Sequence, residues 1–232
     1  MLVNKISGKD KKKLTFPGLA GIVFLGFLVY SNVLYAPFFF DDYSIIVDNE
    51  TIKNLKASFI GFSNNRYLTL ITFAINYAIA GLRPFSYHLL NSIIHIINAV
   101  LVYYFVVFTF KTPYFINSRL SPQFIAFSSA FIFVCHPIQT QAVTYIVQRA
   151  TSMAAMFYLL SLVSYIKWRL MIVQDPIVEE QKTRSGYSKT MIYAVSLFSA
   201  VLAMKTKEIA FTLPVIMVFY EVFFFDKNSI SK

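Results

Sequence analysis

Two adjacent aspartates, Asp41 and Asp42, are the side chains whose types and spacing best suit chemistry. They directly follow an apolar stretch, Pro37-Phe38-Phe39-Phe40. An apolar wall raises the pKa of a carboxylate, and a second carboxylate raises it further, which suits a general base. The pair could also orient an acceptor hydroxyl, or Asp41 and Asp42 could hold a divalent metal. The alternative is an ordinary helix end that meets water, and spacing alone favours this alternative.

Cationic side chains lie near the ends of the apolar segments. Arg149 opens an otherwise apolar helix, and its planar guanidinium would suit a phosphate. Snorkelling of Arg149 to the lipid headgroups explains the residue equally well. Lys205 and Lys207 add positive charge at the same depth, so the three residues together could hold the phosphate of a lipid carrier.

A polar stripe runs through one of the apolar segments. His88, Asn91, His95 and Asn98 recur at steps of three, four and three residues, which places them on one face of a helix. Such a stripe should face other helices, and interhelical hydrogen bonding is the favoured explanation for His95 and Asn98. His88 and His95 would lie about 10 Å apart along the helix, so a zinc site that uses both is excluded.

The composition indicates a membrane protein. The chain has 232 residues, of which 57% are hydrophobic and only 14% are charged, whereas soluble domains carry about 25% charged residues. The net charge of +10 would suggest nucleic acid in a soluble protein. Here the basic residues flank apolar segments, as the positive-inside rule requires, so no nucleic acid is expected as a partner.

Six uncharged stretches are predicted to cross the bilayer, because a spanning helix needs about 20 apolar residues. The stretches are residues 14–40, 84–110, 120–148, 150–166, 190–204 and 209–220. The last three are shorter than the others. With the N-terminus inside, the inner segments hold 14 Lys and Arg residues and the outer segments hold 7, out of 21 in the chain. This distribution follows the positive-inside rule.

Residues 67–82 are also uncharged and could form a seventh span. That span would change the inner count of Lys and Arg to 9 and the outer count to 12, against the positive-inside rule. Thr69, Thr72, Asn76 and Arg83 share a helical stripe in and just after this segment. The sequence therefore predicts an amphipathic helix that lies on the outer surface.

We therefore expect an all-α polytopic membrane protein with about six transmembrane helices plus an amphipathic outer-surface helix. Residues 1–232 would form a single membrane domain. Residues 1–13 would be a cytoplasmic basic tail, and residues 167–189 a cytoplasmic loop. Residues 37–84 would be the first outer loop, which carries the acidic pair and the surface helix. Most of the chemically interesting side chains then lie on the non-cytoplasmic face.

Four short blocks of this sequence resemble a known family in order and spacing. The blocks are Phe40-Asp41-Asp42 with Ile46, Asn49 and Ile52; Arg66-Tyr67-Leu68-Thr69 with Phe73, Asn76, Tyr77, Gly81, His88, Asn91 and His95; His136-Pro137 with Ala142, Val143, Ile146 and Arg149; and Leu202-Ala203 with Lys207 and Glu208. Over about residues 38–225 they resemble the GT-C superfamily of membrane glycosyltransferases. More narrowly, they resemble the N-terminal membrane module of the transmembrane-and-tetratricopeptide-repeat O-mannosyltransferase branch.

The sequence departs from that family in three respects. Gln141 stands where the family usually has glutamate, so no acidic role is carried to this position. Thr206 replaces the usual serine, which is a mild change. No repeat with the 34-residue tetratricopeptide period is present. We therefore expect an incomplete GT-C module, which would be a fragment, a reduced relative, or a split subunit whose partner supplies the missing helices.

The resemblance implies roles for particular residues. Asp41 would be the general base, with Asp42 supporting it or holding a divalent metal, and no other cofactor is implied. Arg149 and Lys207 would neutralise the donor phosphate, and Glu208 would orient Lys207. The other residues that would bind substrate are Arg66, Arg83, His88 and His136.

The implied reaction moves a hexose, mannose in particular, from a polyprenyl-phosphate donor to an acceptor hydroxyl on a protein or glycan. The implied setting is the lipid bilayer, with the cytoplasmic membrane of a prokaryote favoured over the endoplasmic reticulum. Two other functions stay open. A transporter half would explain a polar stripe with charged mouths, although no Asp or Glu lies mid-membrane. A non-catalytic membrane subunit would explain the short chain.

Overall fold

The structure, a computed structural model, describes residues 8–60, 66–174 and 182–226. Its α-helices are α1 (Gly8–Tyr30), α2 (Glu50–Lys53), α3 (Leu55–Ile60), α4 (Tyr67–Ala80), α5 (Pro84–Thr109), α6 (Pro122–Cys135), α7 (Thr140–Thr144), α8 (Arg149–Gln174), α9 (Lys182–Thr206) and α10 (Leu213–Phe224). No strand occurs in these parts of the chain. The predicted all-α class is therefore confirmed.

Six helices, α1, α5, α6, α8, α9 and α10, run alternately up and down, so the bundle has two ends. At the first end, Lys207 follows α9 and donates to Thr151 at the start of α8, with 2.8 Å between Nζ and Oγ1. At the second end, Thr109 closes α5 and hydrogen-bonds Tyr220 near the end of α10 at 2.7 Å. The connection after α1, residues 31–49, lies at the first end and carries the acidic pair.

Helix α1 approaches α5 and α6 closely at one glycine. A Cβ atom on Gly26 would lie 2.5 Å from Cγ1 of Ile96 and 3.2 Å from Cγ2 of Val134. Nothing lies within 4 Å of the same position on Gly21. The packing of α1 therefore requires the missing side chain at Gly26 and does not require it at Gly21.

Replacing Gly26 by alanine is expected to destabilise the fold by about 1–3 kcal/mol, because overpacking pushes α1 away from its neighbours. The matched change Gly21→Ala is expected to leave stability unchanged or raise it by up to about 1 kcal/mol, since alanine favours the helix. The free energy of unfolding in detergent micelles, followed by the fluorescence of Trp168, measures both. Equal stability of the two variants would contradict the close approach.

Two helical stretches within the described residues are long and apolar enough to cross a membrane unaided. They are Pro84–Thr109, with mean hydropathy 2.0, and Ile146–Val173, with mean hydropathy 1.4. Shorter apolar helices cover Pro17–Val33, Tyr67–Ala80 and Pro122–Cys135. The structure thus gives two full-length candidate spans, and both overlap predicted spans. Two of the shorter apolar helices, Pro17–Val33 and Pro122–Cys135, also overlap predicted spans, whereas Tyr67–Ala80 does not.

Helix ends differ from the predicted boundaries for local reasons. The predicted span 120–148 stops being α-helical at Cys135, because His136 is extended (ψ 128°) before Pro137, as residues before proline prefer. The chain then crosses the first end through a 3₁₀ turn, α7 and a second 3₁₀ turn before α8 begins.

The two segments predicted to be cytoplasmic are partly helical. In the predicted basic tail 1–13, the helix begins at Gly8, and the preceding residues lie outside the described ranges. In the predicted loop 167–189, residues 167–174 belong to α8 and residues 182–189 to α9. The intervening residues also lie outside the described ranges.

The polar stripe of α5 faces the bundle, and each of its four residues hydrogen-bonds another element. The contacts join His88 to the carbonyl oxygen of Ala36 (3.1 Å), Asn91 to those of Val143 and Ile146 (both 3.3 Å), His95 to that of Val134 (3.2 Å), and Asn98 to that of Ser152 (3.0 Å). The interhelical hydrogen bonding that the spacing indicated for His95 and Asn98 is confirmed.

Helix α4 lies at the first end only. Its 14 residues are as many as those of α6 and more than the 12 of α10, so the contacts of α4, and not its length, define its position. Asn76 donates to the carbonyl oxygen of Ser86 at 3.2 Å, which holds α4 against the start of α5. The polar stripe predicted to face water is turned inward, because Thr69 and Asn76 are buried and the stripe supplies acceptors to a buried arginine.

Candidate active site

The acidic loop, residues 37–48, rests on an apolar cluster at the first end of the bundle. Ile46 from the loop packs with Phe73 from α4, Tyr87 from α5 and Ile146 from the turn before α8. Because these residues come from four distant parts of the chain, burying them fixes the loop against α4, α5 and the turn before α8. The acidic pair is therefore held by the fold and does not hang from a free connection.

Phe40 has the left-handed backbone conformation, with φ at 49°, directly before the acidic pair. It is the only non-glycine residue with positive φ in the described parts of the chain. This conformation costs a residue with a Cβ atom about 1–2 kcal/mol, and such strain concentrates at functional sites. The turn at Phe40 leaves Asp42 buried and Asp41 exposed.

Asp42 faces inward, and its carboxylate binds two backbone amides. Oδ2 accepts from the N–H of Phe39 at 3.0 Å, and Oδ1 accepts from the N–H of Val147 at 3.0 Å. The side chain is only 2% exposed. Burial raises the pKa of Asp42 above its ordinary value, although the two amides oppose the shift. Asp42 therefore ties the acidic loop to the turn before α8.

Asp41 is exposed and anchored through its backbone. Its N–H donates to the phenol oxygen of Tyr145 at 3.1 Å, and its carbonyl oxygen accepts from Oγ of Ser44 at 3.2 Å. Neither backbone contact uses up the carboxylate, so Asp41 is the member of the pair that can take a proton from a ligand.

A cleft of about 800 Å³ opens beside the acidic pair. Its walls include Pro37, Phe39, Asp42, Ile138, Gln141 and Tyr145. The walls are mainly apolar, with a few polar groups, as is usual for small-molecule sites. Gln141, where the resembled family has glutamate, lies on this wall as a neutral amide.

Arg149 is fully buried among neutral partners. Its Nε donates to Oδ1 of Asn91 at 2.7 Å, Nη1 donates to Oδ1 of Asn76 at 2.7 Å and to Oγ1 of Thr72 at 3.2 Å, and Nη2 donates to the carbonyl oxygen of Tyr87 at 3.0 Å. Its exposed fraction is 0%. In this arrangement Arg149 joins α8 to α4 and α5 and presents no surface to a phosphate.

The guanidinium of Arg149 also stacks on an aromatic ring. Its Cζ lies 4.4 Å from the centroid of Phe73, within cation–π range. Together with four hydrogen bonds, this contact compensates for removing a charge from water. Helix α4 is therefore held at the first end by a cation that belongs to α8.

Lys207 is half-buried beside the start of α8. Its Nζ donates to Oγ1 of Thr151, and the same hydroxyl donates to Oε1 of Gln148 at 2.7 Å. Gln148 follows Val147, whose amide binds Asp42, so Lys207 belongs to the same end of the bundle as the acidic pair. Glu208 is exposed at the start of the following 3₁₀ turn.

The other predicted substrate-binding residues are spread over the first end. His136 is exposed, and its Nδ1 accepts from the N–H of Ile138 at 3.1 Å, so the proton of the neutral ring lies on Nε2. Arg66 and Arg83 are exposed at the starts of α4 and α5. His88 is buried at 2% exposure and binds a backbone carbonyl, so it does not face the cleft as a free group.

The carboxylate of Asp42, one of the two predicted metal ligands, is already engaged in this arrangement. Both oxygens of Asp42 already accept backbone amides, which leaves Asp41 as the available carboxylate. In the described parts of the chain, no group of three or more His, Cys, Asp or Glu side chains could hold a metal ion. We therefore derive no step through a metal.

Tyr145 is the site residue that the sequence did not reveal. It lines the cleft and contacts Asp41 across 104 positions of the chain. The only signal was its place in the uncharged segment between His136 and Arg149. A tyrosine at such a membrane boundary is usually an interfacial anchor, so its contact with Asp41 required the fold.

Comparison with known proteins gives relatives over most of this chain. It is 30% identical over 241 residues to the mouse protein "Protein O-mannosyl-transferase TMTC3". The matched region covers 96% of this chain and 23% of the relative. It is 34% identical over 158 residues to mouse "Protein O-mannosyl-transferase TMTC2", covering 62% of this chain and 18% of the relative. It is 28% identical over 191 residues to human "Protein O-mannosyl-transferase TMTC4", and this match covers 74% of this chain and 24% of the relative.

These comparisons confirm the resemblance that the four sequence blocks carry. The chain spans about a quarter or less of the length of the relatives it matches. No family model matches the chain. No solved structure matches it either.

Proposed function

We propose that this chain, a homologue of the TMTC protein O-mannosyl-transferases, transfers mannose from a polyprenyl-phosphate donor to an acceptor hydroxyl. These homologues belong to the GT-C-like branch of membrane glycosyltransferases. The acceptor would be a protein or glycan at the non-cytoplasmic face. One observation carries this proposal beyond homology. Asp41 is exposed on a strained loop, and its neighbour Asp42 and its contact Tyr145 line a cleft of about 800 Å³.

The proposed topology has six spans, α1, α5, α6, α8, α9 and α10, with α4 at the non-cytoplasmic surface. Their alternating direction supports it, since the acidic loop and the starts of α5 and α8 share one end of the bundle. The contacts of α4, which lie at that end alone, support a surface position. The excess of Lys and Arg on the inner segments supports placing the acidic end outside. For a prokaryotic chain, this is the outer face of the cytoplasmic membrane.

In the proposed reaction, Asp41 takes the proton of the acceptor hydroxyl. At the same time the hydroxyl oxygen attacks the sugar carbon that is bonded to the donor phosphate. The bond between that carbon and the phosphate oxygen breaks, and the polyprenyl phosphate leaves with the bonding electrons. Asp42 acts by holding the loop through its two amide contacts. General-base assistance of this kind contributes about 10²–10⁴-fold to a rate.

Lys207 is proposed to neutralise the leaving phosphate. Its ammonium is half-exposed, and its hydrogen bond to Thr151 leaves two N–H donors for a ligand. Arg149, which the resemblance pairs with Lys207, is proposed to act indirectly by fixing α4, α5 and α8 around the site. A buried charge that touches no ligand still contributes to the potential of the site.

The test uses the full chain, purified and reconstituted in liposomes. We expect radiolabelled mannose to pass from polyprenyl-phosphate mannose to a peptide rich in serine and threonine, and not from a soluble nucleotide sugar. Transfer from the nucleotide sugar alone would contradict the proposed donor. Absence of transfer from both donors would contradict catalysis by this chain.

A second candidate is a membrane subunit that completes its site with a partner. The enclosed position of Arg149 favours it, because only one of the two cations that the resemblance assigns to the donor phosphate reaches the surface. The same liposome assay separates the two functions. The subunit function is supported if transfer appears only after a second membrane protein from the same membranes is added.

A further inference from the structure

Tyr145 and Asp41 form a long-range contact at the edge of the cleft. The phenol oxygen accepts the N–H of Asp41 at 3.1 Å, and Tyr145 lines the cleft together with Asp42. One position after Asp41 and two positions after Tyr145, the N–H of Val147 donates to Asp42 at 3.0 Å. The acidic pair is therefore fastened to one short segment, residues 145–147, at two points.

The two contacts differ in what they fix. The bond between Asp42 and Val147 holds the buried half of the pair, and it would survive any change at Tyr145. The bond from Tyr145 is the one recorded contact that holds the N–H of Asp41 within the described residues. Other hydrogen bonds hold the neighbouring backbone, from the Asp42 N–H to the Phe39 carbonyl at 3.0 Å and from Oγ of Ser44 to the Asp41 carbonyl at 3.2 Å, but neither of them holds the N–H of Asp41.

The phenol also keeps its own proton. Partial burial raises the pKa of Tyr145 above its ordinary value, and the nearby Asp41 and Asp42 carboxylates raise it further. A protonated phenol that accepts the N–H of Asp41 still has one O–H to donate.

We propose that Tyr145 is a positioning residue that holds Asp41, through its amide N–H, in the orientation from which the Asp41 carboxylate takes the acceptor proton. The inference rests on the proposed function in one respect, the role of Asp41 as base. It assigns Tyr145 to orientation of the base and not to binding of the sugar or lipid. The loss of one such hydrogen bond lowers a rate by about tenfold, equivalent to about 1.4 kcal/mol.

The test compares Tyr145→Phe with Tyr43→Phe, which removes a phenol from the same loop at a side chain that is 50% exposed. Hydrogen–deuterium exchange of the Asp41 amide in lipid nanodiscs reports the contact without any assay of activity. We expect exchange at Asp41 to be about tenfold faster in Tyr145→Phe and unchanged in Tyr43→Phe. Unchanged exchange in both variants would overturn the proposed contact.

Transfer kinetics report the consequence for the base. We expect kcat to fall about tenfold in Tyr145→Phe with KM unchanged for both substrates, the signature of an interaction that matters only in the transition state. A rise of KM with kcat unchanged would overturn positioning and indicate substrate binding. Faster exchange at Asp41 with unaltered kinetics would overturn it too. No transfer by the unaltered chain would count against the transferase, while the exchange data would still decide whether Tyr145 holds Asp41.

Discussion

Replacing Asp41 by asparagine is expected to lower the rate of mannose transfer by about 10²–10⁴-fold, the contribution of a general base. Asparagine keeps the size of the side chain and the backbone hydrogen bond from residue 41 to Tyr145. It cannot take a proton from the acceptor hydroxyl. Because Asp41 is exposed, the free energy of unfolding should change by less than about 0.5 kcal/mol. Initial rates in the liposome assay measure the loss.

The matched control for Asp41→Asn is Asp48→Asn. Asp48 is an exposed aspartate of the same loop and has no part in the proposed chemistry, so its loss should leave the rate within about twofold. Asp42→Asn is a different kind of change, because it leaves one buried backbone amide without an acceptor, at a cost of about 1–3 kcal/mol. Full activity in Asp41→Asn would remove Asp41 from the mechanism.

Replacing Arg149 by lysine is expected to destabilise the protein by at least about 2 kcal/mol. Lysine keeps the charge, but its ammonium cannot reach four acceptors spread over α4 and α5, and each buried acceptor left without a donor costs about 1–3 kcal/mol. The free energy of unfolding, followed by the fluorescence of Trp168 on α8, measures the effect. Arg83→Lys is the matched control, because Arg83 is exposed and its change should cost less than about 0.5 kcal/mol.

Arg149→Lys also separates two roles for this residue. If Arg149 holds the bundle together, stability falls, and a double-mutant cycle with Asn76→Ala shows coupling between the two residues. If Arg149 instead contacts the donor phosphate, KM for the lipid donor rises while stability is retained. The second result would contradict the enclosed position of Arg149 in the structure.

The sequence was sufficient for features that depend on local pattern. The helical class follows from long apolar stretches, and the inward face of α5 follows from the spacing of His88, Asn91, His95 and Asn98. The end of α6 at Cys135 has a local signal in Pro137, although the predicted span ran on to residue 148. These features need only the period of a helix and the preferences of single residues.

Pairings between distant parts of the chain were not accessible from the sequence. The acceptors of Arg149 lie 58 to 77 residues away from it, and nothing local marks Thr72 and Asn76 as partners of a buried cation. A polar stripe on an apolar helix predicts contact with water unless a buried charge is known to face it. The sequence therefore placed the stripe of α4 on the wrong side.

The different roles of Asp41 and Asp42 were also not predictable from the sequence. Two adjacent aspartates are equivalent in the sequence, and they become different only when the amides of Phe39 and Val147 are brought to Asp42. The left-handed turn at Phe40 is equally invisible, since phenylalanine does not favour that conformation.

The most direct test of the account is the side of the membrane that the acidic loop faces. In a Cys135→Ser background, Ser44→Cys marks the loop, and Ser118→Cys marks the connection between α5 and α6 at the second end. Both serines are exposed. A membrane-impermeant maleimide applied to intact cells or spheroplasts is predicted to label the Ser44→Cys variant and not the Ser118→Cys variant. Labelling of Ser118→Cys alone would place Asp41 and Asp42 in the cytoplasm and contradict transfer from a lipid-linked sugar at the non-cytoplasmic face.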